Sequence, residues 1–206
     1  MKVAILKERR AKEARVAASP DTVAKMVNLG AEVAVEKGAG LGAAITDAAF
    51  KEAGATVAKD AKTALKGADL ILKVQRPEPS ELTGMPSGAV LMSLLDPYRA
   101  GAELDAIAKA GLTAFSMEFM PRITRAQSMD VLSSQANLAG YKAVLDGAAE
   151  FGRAFPMMMT AAGKIPPANV LVMGAGVAGL QAIATARRLG AVVWATDVRP
   201  AAKEQV

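Results

Sequence analysis

The chain of 206 residues has no cysteine and no histidine. Without cysteine no disulfide can staple the fold. Without either residue a zinc site lacks its usual ligands. Histidine-based acid–base catalysis and Cys or Ser–His nucleophilic chemistry are likewise excluded within this chain. Aromatic residues are scarce at 4% although 52% of the chain is apolar, so a core has to be built from Ala, Val, Leu, Ile and Met. That apolar share excludes disorder. No apolar run reaches the ~18–20 residues that span a bilayer, and the start, MKVAILKERR, turns charged too early for a signal peptide. Charge of one sign is also limited: 25 Lys+Arg against 20 Asp+Glu leave +5. The basic cluster Lys7, Arg9, Arg10, Lys12 and Arg15 is broken by Glu8 and Glu13. A nucleic-acid arm carries fewer acids, so nucleic acid is not an expected partner.

What is present alternates between short apolar runs and helical stretches. Val3–Leu6, Ala31–Val35, Ala55–Ala58, Leu70–Val74, Ala89–Leu95 and Leu112–Met117 read as strands. Ser19-Pro20 and Thr46-Asp47 have the form of helix N-caps, and Gly30, Gly54 and Gly111 of helix stops. Pro77 and Pro79 read as breaks in the pattern. Residues 134–155 read as one long helix with Leu138, Tyr141, Val144, Leu145, Phe151 and Phe155 on its apolar face. Gly163, Pro166 and Pro167 read as a breaker before the next strand. The expected fold is α/β: two Rossmann-like parallel-sheet lobes, 1–133 and 156–206, joined by the helix 134–155. The second lobe is expected to be incomplete, because the chain ends soon after its second strand.

The second lobe carries the most specific signal. Asn169–Met173 reads as a strand and runs into Gly174-Ala175-Gly176-Val177-Ala178-Gly179. A helical stretch follows, then the strand Ala191–Thr196 and Asp197. In a dinucleotide site each part has a physical task. Gly174 permits the tight turn, Gly176 lets a diphosphate approach the backbone, and Gly179 lets helix and strand pack closely. The helix start offers unpaired N–H groups and a positive dipole end to phosphate. Asp197 is placed to accept from the adenosine ribose hydroxyls, and its charge disfavours a 2′-phosphate, which selects NAD(H) over NADP(H). Arg199 could meet such a phosphate, but Asp197 at the strand tip makes that the lesser reading.

The loop 120–130, MPRITRAQSMD, and the following Ser133 concentrate amide, hydroxyl, guanidinium and carboxylate groups without a proton shuttle. Such groups suit a primary amide like that of nicotinamide. An N-cap loop with an Arg–Asp pair is the plainer alternative. Hydride transfer between two nicotinamide rings makes no O–H or N–H bond. It asks for approach and orientation rather than a general acid or base.

The stretches KERRAKEARVAASP (7–20), KVQRP (73–77), AVLMSLL (89–95), PRITRAQSMD (121–130), RAFPMMMTAAG (153–163) and ATDVRPAAKEQV (195–206) resemble the NAD(H)-binding domain I of the proton-translocating nicotinamide nucleotide transhydrogenase family, alpha subunit. The resemblance implies a Re/Si-specific oxidoreductase and translocase component. It would bind NADH and pass hydride to NADP+ held by the beta-subunit domain of a partner. It implies a homodimer, a membrane subunit as partner and a peripheral place on the cytoplasmic face of the inner membrane. By the same resemblance Arg122, Asp130 and Ser133 hold the nicotinamide end, and Gln127 reaches toward the other nucleotide. Arg122, Gln127 and Asp130 are then the catalytic set. Gly174, Gly176, Val177 and Gly179 line the pyrophosphate, and Asp197 with Val198 meets the adenosine ribose. The sister family, alanine dehydrogenase, is the alternative; by resemblance to it, Arg15 and Lys73 fall where a carboxylate substrate is held, with structural ion pairing the preferred reading. Its oxidative deamination needs proton removal, for which this chain offers no histidine beside Ser93.

Overall fold

The computed structural model describes every residue except Arg122 and the side chain of Gln205. Two compact units make up the chain, Met1–Pro121 and Arg122–Val206. The division falls earlier than the 133/134 boundary read from the sequence. The reason is local: the 3-10 turn Thr124–Met129 bonds to Asp130, which caps the long helix, so the loop travels with that helix.

In the first unit β1 (Lys2–Ile5), β2 (Glu32–Glu36), β3 (Thr56–Ala58), β4 (Leu70–Gln75), β5 (Val90–Leu94) and β6 (Thr113–Ser116) form one sheet in the order β3-β2-β1-β4-β5-β6. Every pairing is parallel. The period of two along β1 sends Val3 and Ile5 into one core and Ala4 and Leu6 into the other. The first core is closed by Val23 of α1 (Pro20–Asn28) and Phe50 of α2 (Asp47–Glu52). The second is closed by α3 (Ala61–Leu65), α4 (Pro79–Leu82) and α5 (Gly101–Lys109). Because the crossovers keep one hand, reversing direction between β1 and β4 places the helices on opposite faces.

The expected caps hold α1 and α2: Thr22 N–H donates to Ser19 Oγ at 3.3 Å and Ala49 N–H to Thr46 Oγ1 at 3.2 Å. Leu29 does not join the core; it is 87% exposed at the end of α1. Pro79 starts a helix rather than breaking one. Proline is tolerated at the first helical position, and Glu78 and Glu81 close a capping box around α4.

In the second unit the turn Thr124–Met129 leads into α6 (Val131–Glu150), which starts three residues ahead of its sequence-read start and ends five short of its sequence-read end at 155. A hairpin of β7 (Met158–Thr160) and β8 (Gly163–Ile165) takes in Gly163, and Pro166 and Pro167 then break the chain ahead of the next strand, as read. Then come β9 (Asn169–Met173), α7 (Val177–Arg188) and β10 (Val192–Thr196), with β9 and β10 parallel. Only part of the apolar face read for α6 packs. Leu138 and Tyr141 are exposed, whereas Gly140 and Val144 are buried. A Cβ on Gly140 would overlap the Ala178 carbonyl of α7, so the two helices meet backbone to backbone.

Gly140→Ala weighs two effects. Helix propensity gains about 1 kcal/mol, while overpacking against a backbone costs about 1–3 kcal/mol. The overlap is with a carbonyl that cannot rotate away, so destabilisation is expected. Trp194, the chain's single tryptophan, sits on β10 and reports this unit. Its denaturant midpoint should fall, and a rise would show that propensity governs.

Candidate functional site

β9 ends at Met173 and the chain reverses through Gly174, whose φ of +101° lies in the region that favours glycine. The turn is tied to the neighbouring strand: Gly174 N–H donates to the Thr196 carbonyl at 2.7 Å. Gly176 is the N-cap of α7 and supplies no side-chain cap, and the first turn carries no acidic residue. No residue of its own first turn therefore neutralises the positive end of α7. At Gly179 a Cβ would overlap the Gly174 carbonyl oxygen, so the helix can only begin this close to the strand with glycine there.

An open groove of about 670 Å³ runs along this turn. Gly174, Gly176, Val177 and Gly179 line it from one side, and Ser133 and Gly140 of α6 line it from the other. The fold thus brings Ser133 together with four of the glycine-turn candidates. Asp130 caps α6, with Ser133 N–H on Oδ1 at 2.9 Å and Ser133 Oγ donating to Oδ2 at 2.6 Å. Gln127 lies exposed on the 3-10 turn. Arg122 falls outside the described residues.

Asp197 stands at the tip of β10. Ala175 N–H donates to its Oδ2 at 2.7 Å. The Arg199 guanidinium forks onto it, Nε to Oδ1 at 3.0 Å and Nη2 to Oδ2 at 2.9 Å. Arg199 beside it, helped by the Ala175 N–H, holds the Asp197 carboxyl well below the usual carboxylate range. The acid is ionised at any neutral pH and linked to the glycine turn. Val198 next to it is 98% exposed. Sequence reasoning misses the Arg199 fork and the role of Gly140; a glycine in mid-helix opposite a glycine turn is the available signal for the latter.

The first unit has its own crevice at the carboxyl ends of β1 and β4, where the strand order reverses and ligands usually bind in such sheets. Here it is filled by the chain's own charges. Glu8 accepts from Val74 N–H at 2.7 Å and Gln75 N–H at 3.3 Å. Lys73 Nζ, 1% exposed, lies 2.8 Å from Glu81 and 3.5 Å from Glu8. Burial pushes the Glu8 carboxyl up against the pull of Lys73. Arg15 bonds both carboxylate oxygens of Glu13, and Gln75 donates to the same carboxylate at 2.9 Å. Both candidate carboxylate-holding cations are thus ion-paired. Ser93 Oγ is buried without a hydrogen-bond partner among the described residues.

Arg15 holds the Glu13 carboxyl down at about 2, against an ordinary 4.5. A depressed folded-state value stabilises above the ordinary one and is lost as pH falls toward the folded one. Part of the acid destabilisation between about pH 4.5 and 2 should therefore vanish in Glu13→Gln. Acid titration of unfolding, followed by circular dichroism, checks this; an unchanged curve would show that the fork carries no folding energy.

Two family models match, the alanine dehydrogenase/PNT N-terminal domain over residues 4–139 and the alanine dehydrogenase/PNT C-terminal domain over 143–206. The chain belongs to the alanine dehydrogenase/PNT family. Within that family it is 62% identical over 211 aligned residues to an NAD(P) transhydrogenase subunit alpha protein of Rhodospirillum rubrum, covering 100% of this chain and 55% of that protein. It is 35% identical to alanine dehydrogenase of Mycobacterium tuberculosis, over 96% of this chain and 54% of that enzyme. The solved transhydrogenase structure from Sinorhizobium meliloti superimposes with a TM-score of 0.97 at 62% identity, over 100% of this chain and 59% of that one. This alanine dehydrogenase/PNT chain spans about half the length of the curated relatives it matches. Among its described residues no helix is long and apolar enough to cross a membrane.

Proposed function

We propose that this chain is the NAD(H)-binding part of a proton-translocating transhydrogenase alpha subunit. NADH bound here passes hydride to NADP+ on the beta-subunit domain of a partner, with proton movement through a separate membrane subunit. The active form is a homodimer, peripheral on the cytoplasmic face of the membrane.

The observation that carries the reading is the turn at residues 174–179, with an uncapped positive helix start and an ionised acid at the neighbouring strand tip. The turn's N–H groups receive the diphosphate. Asp197 and Val198 receive the adenosine ribose, and Ser133 and Asp130, with Arg122, orient the nicotinamide end. Gln127, exposed on its turn, reaches toward the second nucleotide. NADH supplies the hydride; these residues supply binding and orientation, which is what such a transfer needs. The higher identity to the transhydrogenase subunit than to the alanine dehydrogenase supports this reading over amino-acid oxidation.

The test mixes this chain with the NADP-binding domain of a transhydrogenase beta subunit and follows reduction of an NADP+ analogue by NADH. A rate that requires both components is expected. Alanine-dependent formation of NADH by this chain alone would instead establish the dehydrogenase.

A further inference from the structure

Gly140 is buried in the middle of α6, where a glycine costs about 1 kcal/mol in helix propensity. A Cβ on it would overlap the Ala178 carbonyl oxygen and lie 2.8 Å from the carbonyl carbon, against about 3.5–4.0 Å for an ordinary carbon–carbon contact. Ala178 is the second residue of α7, inside the glycine turn. The helix α6 therefore touches the start of α7 itself, and it touches main chain rather than a side chain that could swing aside.

Ser133 stands seven residues before Gly140, about two helical turns away and on the same face. Both line the groove opposite Gly174, Gly176, Val177 and Gly179. Ser133 bonds Asp130 through its N–H and its Oγ, so the pair rides on α6 as its cap. Gly147 lies seven residues beyond Gly140 in the same helix, with no atom within 4 Å of the point its Cβ would take. One face of α6 thus carries a glycine that packing requires and another that it does not.

We propose that Gly140 is a positioning residue for the nucleotide: it sets the span between the diphosphate turn and the pair Asp130 and Ser133 at the nicotinamide end. The inference deepens the nucleotide reading above and rests on it. A ligand held at both ends bridges the groove only when its walls stand at the right separation. A methyl group at 140 drives the helices apart by roughly 1 Å, the gap between overlap and ordinary contact. The turn keeps its N–H groups and Asp197 stays at the strand tip, so the adenosine and diphosphate end still binds. Asp130 and Ser133 withdraw with α6 from the nicotinamide. Where orientation decides, a displacement of about 1 Å can cost about a hundredfold.

The experiment titrates NADH and ADP-ribose, which lacks the nicotinamide, into the wild-type chain, Gly140→Ala, Gly147→Ala, Ser133→Ala and Ser133→Ala/Gly140→Ala by calorimetry. The wild-type chain should prefer NADH. In Gly140→Ala the affinity for NADH should fall about tenfold or more, the scale of one misplaced polar contact to the ligand, with that for ADP-ribose unchanged. Ser133→Ala should show the same selective loss, and the double variant little more, because the two residues act through one contact. Gly147→Ala gains the same helix propensity without the overlap and should leave both affinities as they are. Equal losses of both ligands in Gly140→Ala make the glycine a requirement of folding alone and overturn the proposal. So does an unchanged affinity for NADH, or full additivity with Ser133→Ala. If the wild-type chain binds neither ligand, the nucleotide reading fails and the proposal with it, whereas a preference for NADH that ignores residue 140 sinks the positioning role alone.

Discussion

Gly179→Ala is expected to abolish NADH binding and to destabilise the second unit by about 3 kcal/mol or more. The added Cβ overlaps the Gly174 carbonyl oxygen, a backbone atom inside a turn that is pinned to β10 through the bond from Gly174 N–H to Thr196. A flexible side chain could swing aside, but this oxygen moves only if the turn opens. Opening it separates the start of α7 from β9 and withdraws the N–H groups that would face a diphosphate. Denaturant unfolding followed at Trp194 reads the stability of this unit, and titration with NADH reads the site. An alanine variant with an unchanged midpoint and affinity would show that the close approach of helix to strand is dispensable. Alanine is a better helix former than glycine, so propensity alone argues for the opposite outcome.

Lys73→Met is expected to cost about 3–5 kcal/mol in the first unit, the range for removing one partner of a buried ion pair. Methionine fills much of the volume but leaves Glu8 and Glu81 buried and facing one another where one ammonium had stood between them. Glu8 then has only the Val74 and Gln75 N–H bonds to oppose the burial that already pushes its carboxyl up. A folded-state value raised above the unfolded one stabilises fully below the unfolded value, and that stability is lost as pH rises through the folded one. The variant should therefore be closer to wild type near pH 5 than near pH 8. Hydrogen exchange at the β4 amides reads this unit separately from the one that carries Trp194. Adding Glu8→Gln should recover some of the loss, because the two side chains act as one network. A variant as stable as wild type at both pH values would mean that the lysine is not what neutralises the crevice.

The features of this molecule that are legible in its sequence are those fixed by neighbours in the chain. The alternation in β1, the caps at Ser19 and Thr46, and the strand–glycine–helix–strand–acid unit all depend on residues a few positions apart. The features that escape depend on geometry across the fold or on residues with two meanings. Pro79 reads as a breaker, yet it opens α4 because Glu78 and Glu81 cap that helix. Gly163 reads as part of a break, yet it opens β8, which pairs with β7; the break itself falls at Pro166 and Pro167, ahead of β9. The apolar face read for α6 includes the buried Val144 but omits the residue that brings it against α7: two helices at backbone contact need a missing side chain, which Gly140 provides. The same holds for charge. Lys73 and Glu8 lie 65 positions apart and meet only because β4 pairs with β1. In the candidate site, Ser133 and the glycine turn share a groove only because α6 lies along α7.

The claim on which the rest depends is that the turn at 174–179 receives a dinucleotide diphosphate while Asp197 takes the ribose. Diffraction from crystals of this chain grown with NADH tests it most directly. The account predicts density for the diphosphate against the start of α7 and ribose hydroxyls within hydrogen-bond distance of Asp197. A fully occupied NADH bound elsewhere, with the turn and Asp197 untouched, would contradict it.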